Sequence, residues 1–162
     1  MKKLQAAGAA AFELLRSRGE KVSFAESLTG GMIAATFVEN PGASYALDES
    51  YVTYAAESKA RILGVSWDTI DTVGVVSAAC ACEMAAGVKR ISGAHWGVSA
   101  TGLAGPDGGT AEKPVGTVFV GVSGKNGIIV HGMQLSGSRM EIRRQAADCA
   151  LKALAGAMEE NK

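Results

Sequence analysis

The chain has no excess of either charge: 16 Lys and Arg balance 16 Asp and Glu, so no global field draws it to nucleic acid or to an anionic membrane. Any anionic ligand must be held by local groups. Cysteine is scarce, and Cys80, Cys82 and Cys149 form no framework spacing, which fits reduced buried thiols rather than disulfides. Cys80-x-Cys82 lacks the second pair of a zinc site, and no metal is expected. Of the only two histidines, His95 opens one expected strand and His131 lies inside another, neither being the setting of a triad histidine. No apolar run approaches the ~20 residues of a membrane span, and the N-terminus lacks the apolar core and cleavage pattern of a signal peptide. The expectation is a soluble, cytoplasmic protein with no nucleic-acid or membrane partner; homo-oligomerisation stays open.

What is present is apolar residue and glycine. At 162 residues and 48% apolar, the chain can bury a core as one domain without metal or disulfide help. Leu4, Ala7, Ala11, Leu14 and Leu15 recur at helical spacing up to Gly19, a C-cap signal. A strand is expected at Val22 to Ala25. Thr29 or Gly30 can open the next helix, with Ile33, Ala34, Phe37 and Val38 on one face until Asn40-Pro41-Gly42. Strand character centres on Tyr51 to Thr53, and Ala56 to Leu63 forms a short helix closed by Gly64. Ser77 caps a helix running to about Ser92, and His95 to Ala100 is a buried strand. Val115 to Val122 and Ile128 to Leu135 flank Gly124-Lys125-Asn126-Gly127, a hairpin signal. Arg139 to Met158 is the last helix. Early helix–strand alternation followed by a late hairpin predicts a mixed sheet with helices on both faces.

Two glycine-rich segments carry the chemistry. Between Ala100 and Thr117 lies Thr101-Gly102-Leu103-Ala104-Gly105-Pro106, then Gly108-Gly109-Thr110; glycine admits positive φ and lets a ligand approach the backbone. One reading is a plain surface loop; the other is a functional one, as loops of this length in small domains often are. The order is neither Gly-x-Gly-x-x-Gly nor a Walker loop, so the common nucleotide fingerprints are excluded. The second segment, Ala25-Glu26-Ser27-Leu28-Thr29-Gly30-Gly31, sets a serine where a strand hands over to a helix. Ser27 is either a plain N-cap or a nucleophile whose oxyanion is met by N–H groups of Leu28, Thr29, Gly30 and Gly31.

A serine needs a base. With histidine unsuited, Lys59 is the candidate, provided its pKa is lowered; in Tyr54-Ala55-Ala56-Glu57-Ser58-Lys59, the Tyr54 hydroxyl and the Lys59 amine can converge across a strand-to-helix turn. The alternative is a solvated lysine beside a core-edge tyrosine. Arg139 and Arg143, one turn apart, open the last helix where the macrodipole disfavours cations, so a ligand anion or simple solvation accounts for them.

These segments, with Leu63-Gly64-Val65 and Glu112-Lys113-Pro114-Val115-Gly116-Thr117-Val118, resemble the CinA C-terminal domain family, which includes stand-alone bacterial nicotinamide-nucleotide amidohydrolases. Four motifs in order span nearly the whole chain, in the short, single-domain form (1–162). The resemblance implies a three-layer α/β/α fold with a mixed, mainly parallel sheet, and hydrolysis of nicotinamide mononucleotide to nicotinate mononucleotide and ammonia without a cofactor. Carried over by motif, Ser27 is the nucleophile, Lys59 and Tyr54 activate it, and Thr101 with the glycine turns lines the site. Segment Gly105 to Thr110 and Arg139 suit the 5′-phosphate. The sequence departs from the family at Ala56, usually Asn, and at Ser138, usually Asp; these bear on the orientation of Lys59 and Arg139. Two other readings stay open: a non-catalytic nucleotide-binding or interaction module, and a Ser/Lys amidase for another small amide.

Overall fold

In the computed structural model, which describes residues 2–161, helix α1 (Lys2–Arg18) ends at Gly19 with φ 63° and feeds β1 (Val22–Glu26). Then come α2 (Met32–Phe37), a short 3-10 turn, β2 (Leu47–Val52), α3 (Ala56–Leu63), α4 (Trp67–Thr72) and α5 (Ala78–Ser92). The chain closes with β3 (Trp96–Gly102), β4 (Thr117–Gly124), β5 (Gly127–Gln134) and α6 (Arg139–Glu160). Among these residues no helix is long and apolar enough to cross a membrane.

The strands form one mixed sheet in the order β2-β1-β3-β4-β5. Strand β1 pairs in parallel with both β2 and β3, and β4 is antiparallel to β3 and β5. Four of the five strands therefore point the same way, although only two of the four pairings are parallel. Helices α1, α2 and α6 cover one face, and α3, α4 and α5 the other. The three-layer expectation holds.

Residue size decides how each face packs. On the α1/α2/α6 side, Val22 and Phe24 of β1, Val98 and Ala100 of β3 and Val118 and Val120 of β4 meet Phe12, Leu15, Phe37, Leu151 and Leu154 in one buried cluster. Phe37 sits edge-on to both Phe12 and Phe24, the arrangement ring quadrupoles favour. The α5 side instead presents small residues. A Cβ on Gly97 would lie 2.3 Å from the Ala85 carbonyl oxygen, and one on Gly121 2.6 Å from that of Ala81. Ser99 Oγ donates to that same Ala81 oxygen at 2.6 Å, so α5 rests directly on the strands.

One helix starts later than expected and another was not expected. Helix α2 begins at Met32 rather than at Thr29 or Gly30, because Gly30 and Gly31 adopt φ of 59° and 95°, outside the right-handed helical region. Helix α4 has no counterpart in the sequence reading. By contrast, Ser77 caps α5 as expected: its Oγ accepts from Cys80 N at 3.1 Å and donates to Gly74 O at 2.8 Å. Ser77→Ala is expected to cost about 1 kcal/mol, lowering Tm by about 2–4 °C at this chain length, readable by thermal or urea unfolding.

Candidate active site

The parallel half of the sheet places three chain crossings side by side: Ser27 follows β1, Thr53 and Tyr54 follow β2, and Thr101 and Gly102 end β3. This is the carboxyl edge at which open α/β sheets bind ligands. Main-chain bonds lock the crossings together. Ser27 N donates to Ala100 O at 3.0 Å and Thr53 N to Glu26 O at 2.9 Å.

Lys59, on the first turns of α3, is fully buried. Its Nζ lies 3.0 Å from Ser27 Oγ, 2.6 Å from Thr53 O and 3.2 Å from Tyr54 O. It makes no ion pair among the described residues. Burial lowers its pKa from the ordinary lysine value, opposed only by the neighbouring Cys80. The Cys80 thiol is itself pushed up to about 11 by burial, so it is a neutral neighbour near pH 7. All three partners are oxygens and none is a carboxylate, so none of them offsets the desolvation of the amine by charge. Sequence reasoning brought Lys59 to the Tyr54 hydroxyl; the structure brings it to the Tyr54 carbonyl. The hydroxyl lies 3.2 Å from Arg139 Nη2, which donates to it, while Arg139 Nη1 donates to Gly105 O at 2.7 Å.

A cavity of about 250 Å³ opens over this edge, lined by Ser27, Leu28, Tyr54, Thr101, Gly105 and Arg139, with Gly102 between them. Thr101 is held by its Oγ1 donating to Val75 O at 2.7 Å. Gly105 has φ 72°, and a Cβ there would meet Val115 Cγ1 at 2.4 Å, so only glycine turns the chain at this wall. Gly108, Gly109 and Thr110 are exposed and stand outside the lining; Thr110 instead closes a local turn, its N donating to Lys113 O at 2.9 Å. Gly30 and Gly31 also lie outside it. Val75, Val76, Leu103, Ala104 and Asp107 line the cavity too; Leu103, Ala104 and Asp107 fall within the glycine loop singled out from the sequence, whereas Val75 and Val76 were not assigned there.

The serine turn is held from both sides by residues that sequence reasoning did not assign there. Glu26 is fully buried, and its carboxylate accepts from the N–H groups of Gly31, Ile33 and Ala34 at 3.0, 3.1 and 3.0 Å. It thereby caps α2 in place of a ligand anion. The available signal was a carboxylate ending an otherwise apolar strand. Arg143 lies on the other side, Nε donating to Leu28 O at 2.8 Å and Nη2 to Thr29 O at 3.0 Å. The departures from the family pattern leave the geometry in place: Lys59 is fixed by two carbonyls without an amide at Ala56, and Ser138 caps α6 in a capping box with Glu141. Among the described residues no group of His, Cys, Asp or Glu is arranged to hold a metal ion.

Comparison with known proteins adds a family. The model of the CinA C-terminal domain matches residues 4–158. A CinA-like protein of Fervidobacterium nodosum is 47% identical over 135 residues, covering 83% of this chain but 33% of that protein; the chain spans about a third of the length of the first curated relatives it matches. The nicotinamide-nucleotide amidohydrolase PncC of Enterobacter agglomerans is 45% identical over 139 residues, 85% of each chain. In the crystal structure of the competence/damage inducible protein CihA from Agrobacterium tumefaciens, the fold superposes with TM-score 0.93 at 38% identity, over 97% of this chain and 96% of that one.

Proposed function

The chain belongs to the CinA C-terminal domain family, and from that premise we propose that it hydrolyses the carboxamide of nicotinamide mononucleotide, giving nicotinate mononucleotide and ammonia. The Enterobacter relative of matching length, named for that reaction, supports the substrate. The observation that carries the chemistry is a fully buried lysine without an ion pair, 3.0 Å from a serine hydroxyl at a cavity wall.

Ser27 Oγ attacks the carboxamide carbon as its proton passes to neutral Lys59. The carbonyl oxygen becomes an oxyanion facing the N–H groups of the serine turn. Collapse breaks the C–N bond, the Lys59 ammonium returns its proton to the leaving nitrogen, and ammonia departs from a Ser27 ester. Water, deprotonated by Lys59 in turn, cleaves that ester and restores the serine. Carbonyls of Thr53 and Tyr54 keep the amine aimed throughout. Thr101, Gly102 and Gly105 form the wall, and Arg139 supplies the cation for the 5′-phosphate, with the Tyr54 hydroxyl beside it. Segment 108–110 would serve the phosphate only by folding inward over it.

Arg139→Ala is expected to raise KM for nicotinamide mononucleotide about 10- to 100-fold, the worth of a charge-assisted contact of roughly 1.5–3 kcal/mol, with kcat changed far less. Steady-state kinetics read this; an unchanged KM moves the phosphate away from Arg139. The reading as a whole is tested by ammonia release from nicotinamide mononucleotide and from free nicotinamide, with a chelator present. Release from the nucleotide with little from the free amide is the expected result. A ligand that binds without releasing ammonia makes the fold a binding module, and equal turnover of free nicotinamide makes the enzyme a general amidase.

A further inference from the structure

We propose that Arg143 is a positioning residue for the oxyanion site: its guanidinium, gripping the carbonyls of the serine turn, aims two main-chain N–H groups at the reacting carbonyl oxygen. The proposal rests on the reading of Ser27 as nucleophile.

The bonds of the turn assign its donors one by one. Gly30 N donates to Ser27 O at 3.1 Å, Gly31 N to the Glu26 carboxylate at 3.0 Å and Ser27 N to Ala100 O at 3.0 Å. The N–H groups of Leu28 and Thr29 donate to no acceptor among the described residues. Two adjacent N–H groups are therefore left, next to the nucleophile. Peptide planarity fixes where they point, since N–H and C=O of one trans unit are opposed. The Leu28 N–H is opposed to Ser27 O, which Gly30 holds. The Thr29 N–H is opposed to Leu28 O, which Arg143 Nε holds at 2.8 Å, and Arg143 Nη2 fixes the next unit through Thr29 O at 3.0 Å.

Ser27 and Leu28 belong to the cavity lining, while Thr29 and Arg143 do not, so the guanidinium acts through the carbonyls of the turn and not on the contents of the cavity. A cation on the two carbonyls also polarises their peptide units, strengthening the opposed N–H donors. The contact requires a fork. Lysine offers one compact ammonium in place of the planar fork that sets Nε on one carbonyl and Nη2 on the next, so it holds the two peptide units less rigidly. The glycine at position 30 belongs to the same device: with φ 59°, a Cβ there would come within 3.1 Å of Arg143 Nη2.

The test measures the second-order rate at which a fluorophosphonate probe modifies Ser27, located by mass spectrometry. The Ser27 Oγ–P bond forms, the P–F bond breaks, fluoride leaves, and the serine proton passes through Lys59 to solvent. The phosphonyl oxygen occupies the same donors as a carboxamide oxygen. Removing a whole oxyanion donor costs on the order of a hundredfold or more, so misaiming two is expected to slow labelling about 10- to 100-fold in Arg143→Ala and about 10-fold in Arg143→Lys. Arg144→Ala, which removes a neighbouring exposed cation, labels at the parental rate. If the alanine variant does not fold, the lysine variant carries the comparison. With nicotinamide mononucleotide, both variants lose kcat while KM stays within about twofold, a split that a general loosening of the site would not produce.

Labelling of both variants within about twofold of the parent overturns the proposal and leaves the Ser/Lys reading standing, as does a raised KM with parental kcat. A parent whose Ser27 does not react at all overturns both.

Discussion

Ser27→Ala and Lys59→Ala are each expected to abolish ammonia release, by a factor on the order of 10⁴ or more, as removal of a member of a catalytic unit does. In the proposed mechanism Ser27 supplies the atom that bonds to the substrate, and Lys59 is the one amine among the described residues hydrogen-bonded to its hydroxyl, at 3.0 Å. Because neither works without the other, the double variant should be scarcely slower than either single one. Lys59→Arg should not restore turnover: a guanidinium stays protonated and cannot accept the proton. Folding and ligand binding should persist in Ser27→Ala, whose hydroxyl caps nothing. The measurements are kcat/KM by ammonia release, circular dichroism for the fold and calorimetry for binding. A Lys59→Arg enzyme with near-parental kcat would reduce Lys59 to an electrostatic or structural part.

The largest loss of stability is expected from Glu26→Ala. Three N–H groups at the start of α2 converge on this one buried carboxylate. Deleting it strands all three, at roughly 1–3 kcal/mol for each donor left buried without a partner. Because the three share one acceptor and α2 can relax, the expected sum is about 3–5 kcal/mol. At about 2–4 °C per kcal/mol for a chain of this size, Tm should fall by roughly 6–20 °C. Activity should fall as well, since Glu26 is joined to Ser27 in sequence and its carbonyl anchors Thr53 at 2.9 Å. Glu26→Gln, which keeps one acceptor oxygen, should lose less. A Glu26→Ala protein that melts within a degree or two of the parent would mean that α2 can find its cap elsewhere.

What could be read from the sequence was what local chemistry determines. Gly19 and Gly64 stop their helices because glycine takes positive φ without strain, and Ser77 starts α5 because its hydroxyl meets an otherwise unpaired N–H. The hairpin between β4 and β5 followed from its Gly-Lys-Asn-Gly turn. Helix α4 was invisible, since six residues give too little periodicity to stand out. The start of α2 was misplaced because Gly30 and Gly31 hold positive φ, and the first N–H groups of the helix are met by Glu26, a side chain of the preceding strand.

The site divides along the same line. Ser27 stood out as a candidate by its place between strand and helix and Lys59 by elimination of the histidines, while Thr101, Gly102 and Gly105 were assigned by resemblance to the family; all but Lys59 line the cavity. The finer assignments depend on distance between segments far apart in sequence. Tyr54 meets Lys59 through its carbonyl and Arg139 through its hydroxyl. Arg143 reaches a turn 114 residues away. Both arginines open the same helix, and only the packing of α6 against the serine turn sends one to the cavity and the other to the carbonyls of Leu28 and Thr29.

The protonation of Lys59 is the most direct test. Desolvation disfavours the ammonium, so the folded pKa should lie below the ~10.4 of free lysine. The neutral base is populated as pH rises through that value, and kcat/KM should rise with it. NMR of lysine labelled at Cε, with the Lys59 signal assigned by its loss in Lys59→Ala, gives the titration of this one amine in the intact protein. The account predicts a midpoint below the ordinary lysine value that coincides with the midpoint of the rise in kcat/KM. A Lys59 that titrates at or above about 10.4, while the enzyme is fully active near neutrality, would contradict it.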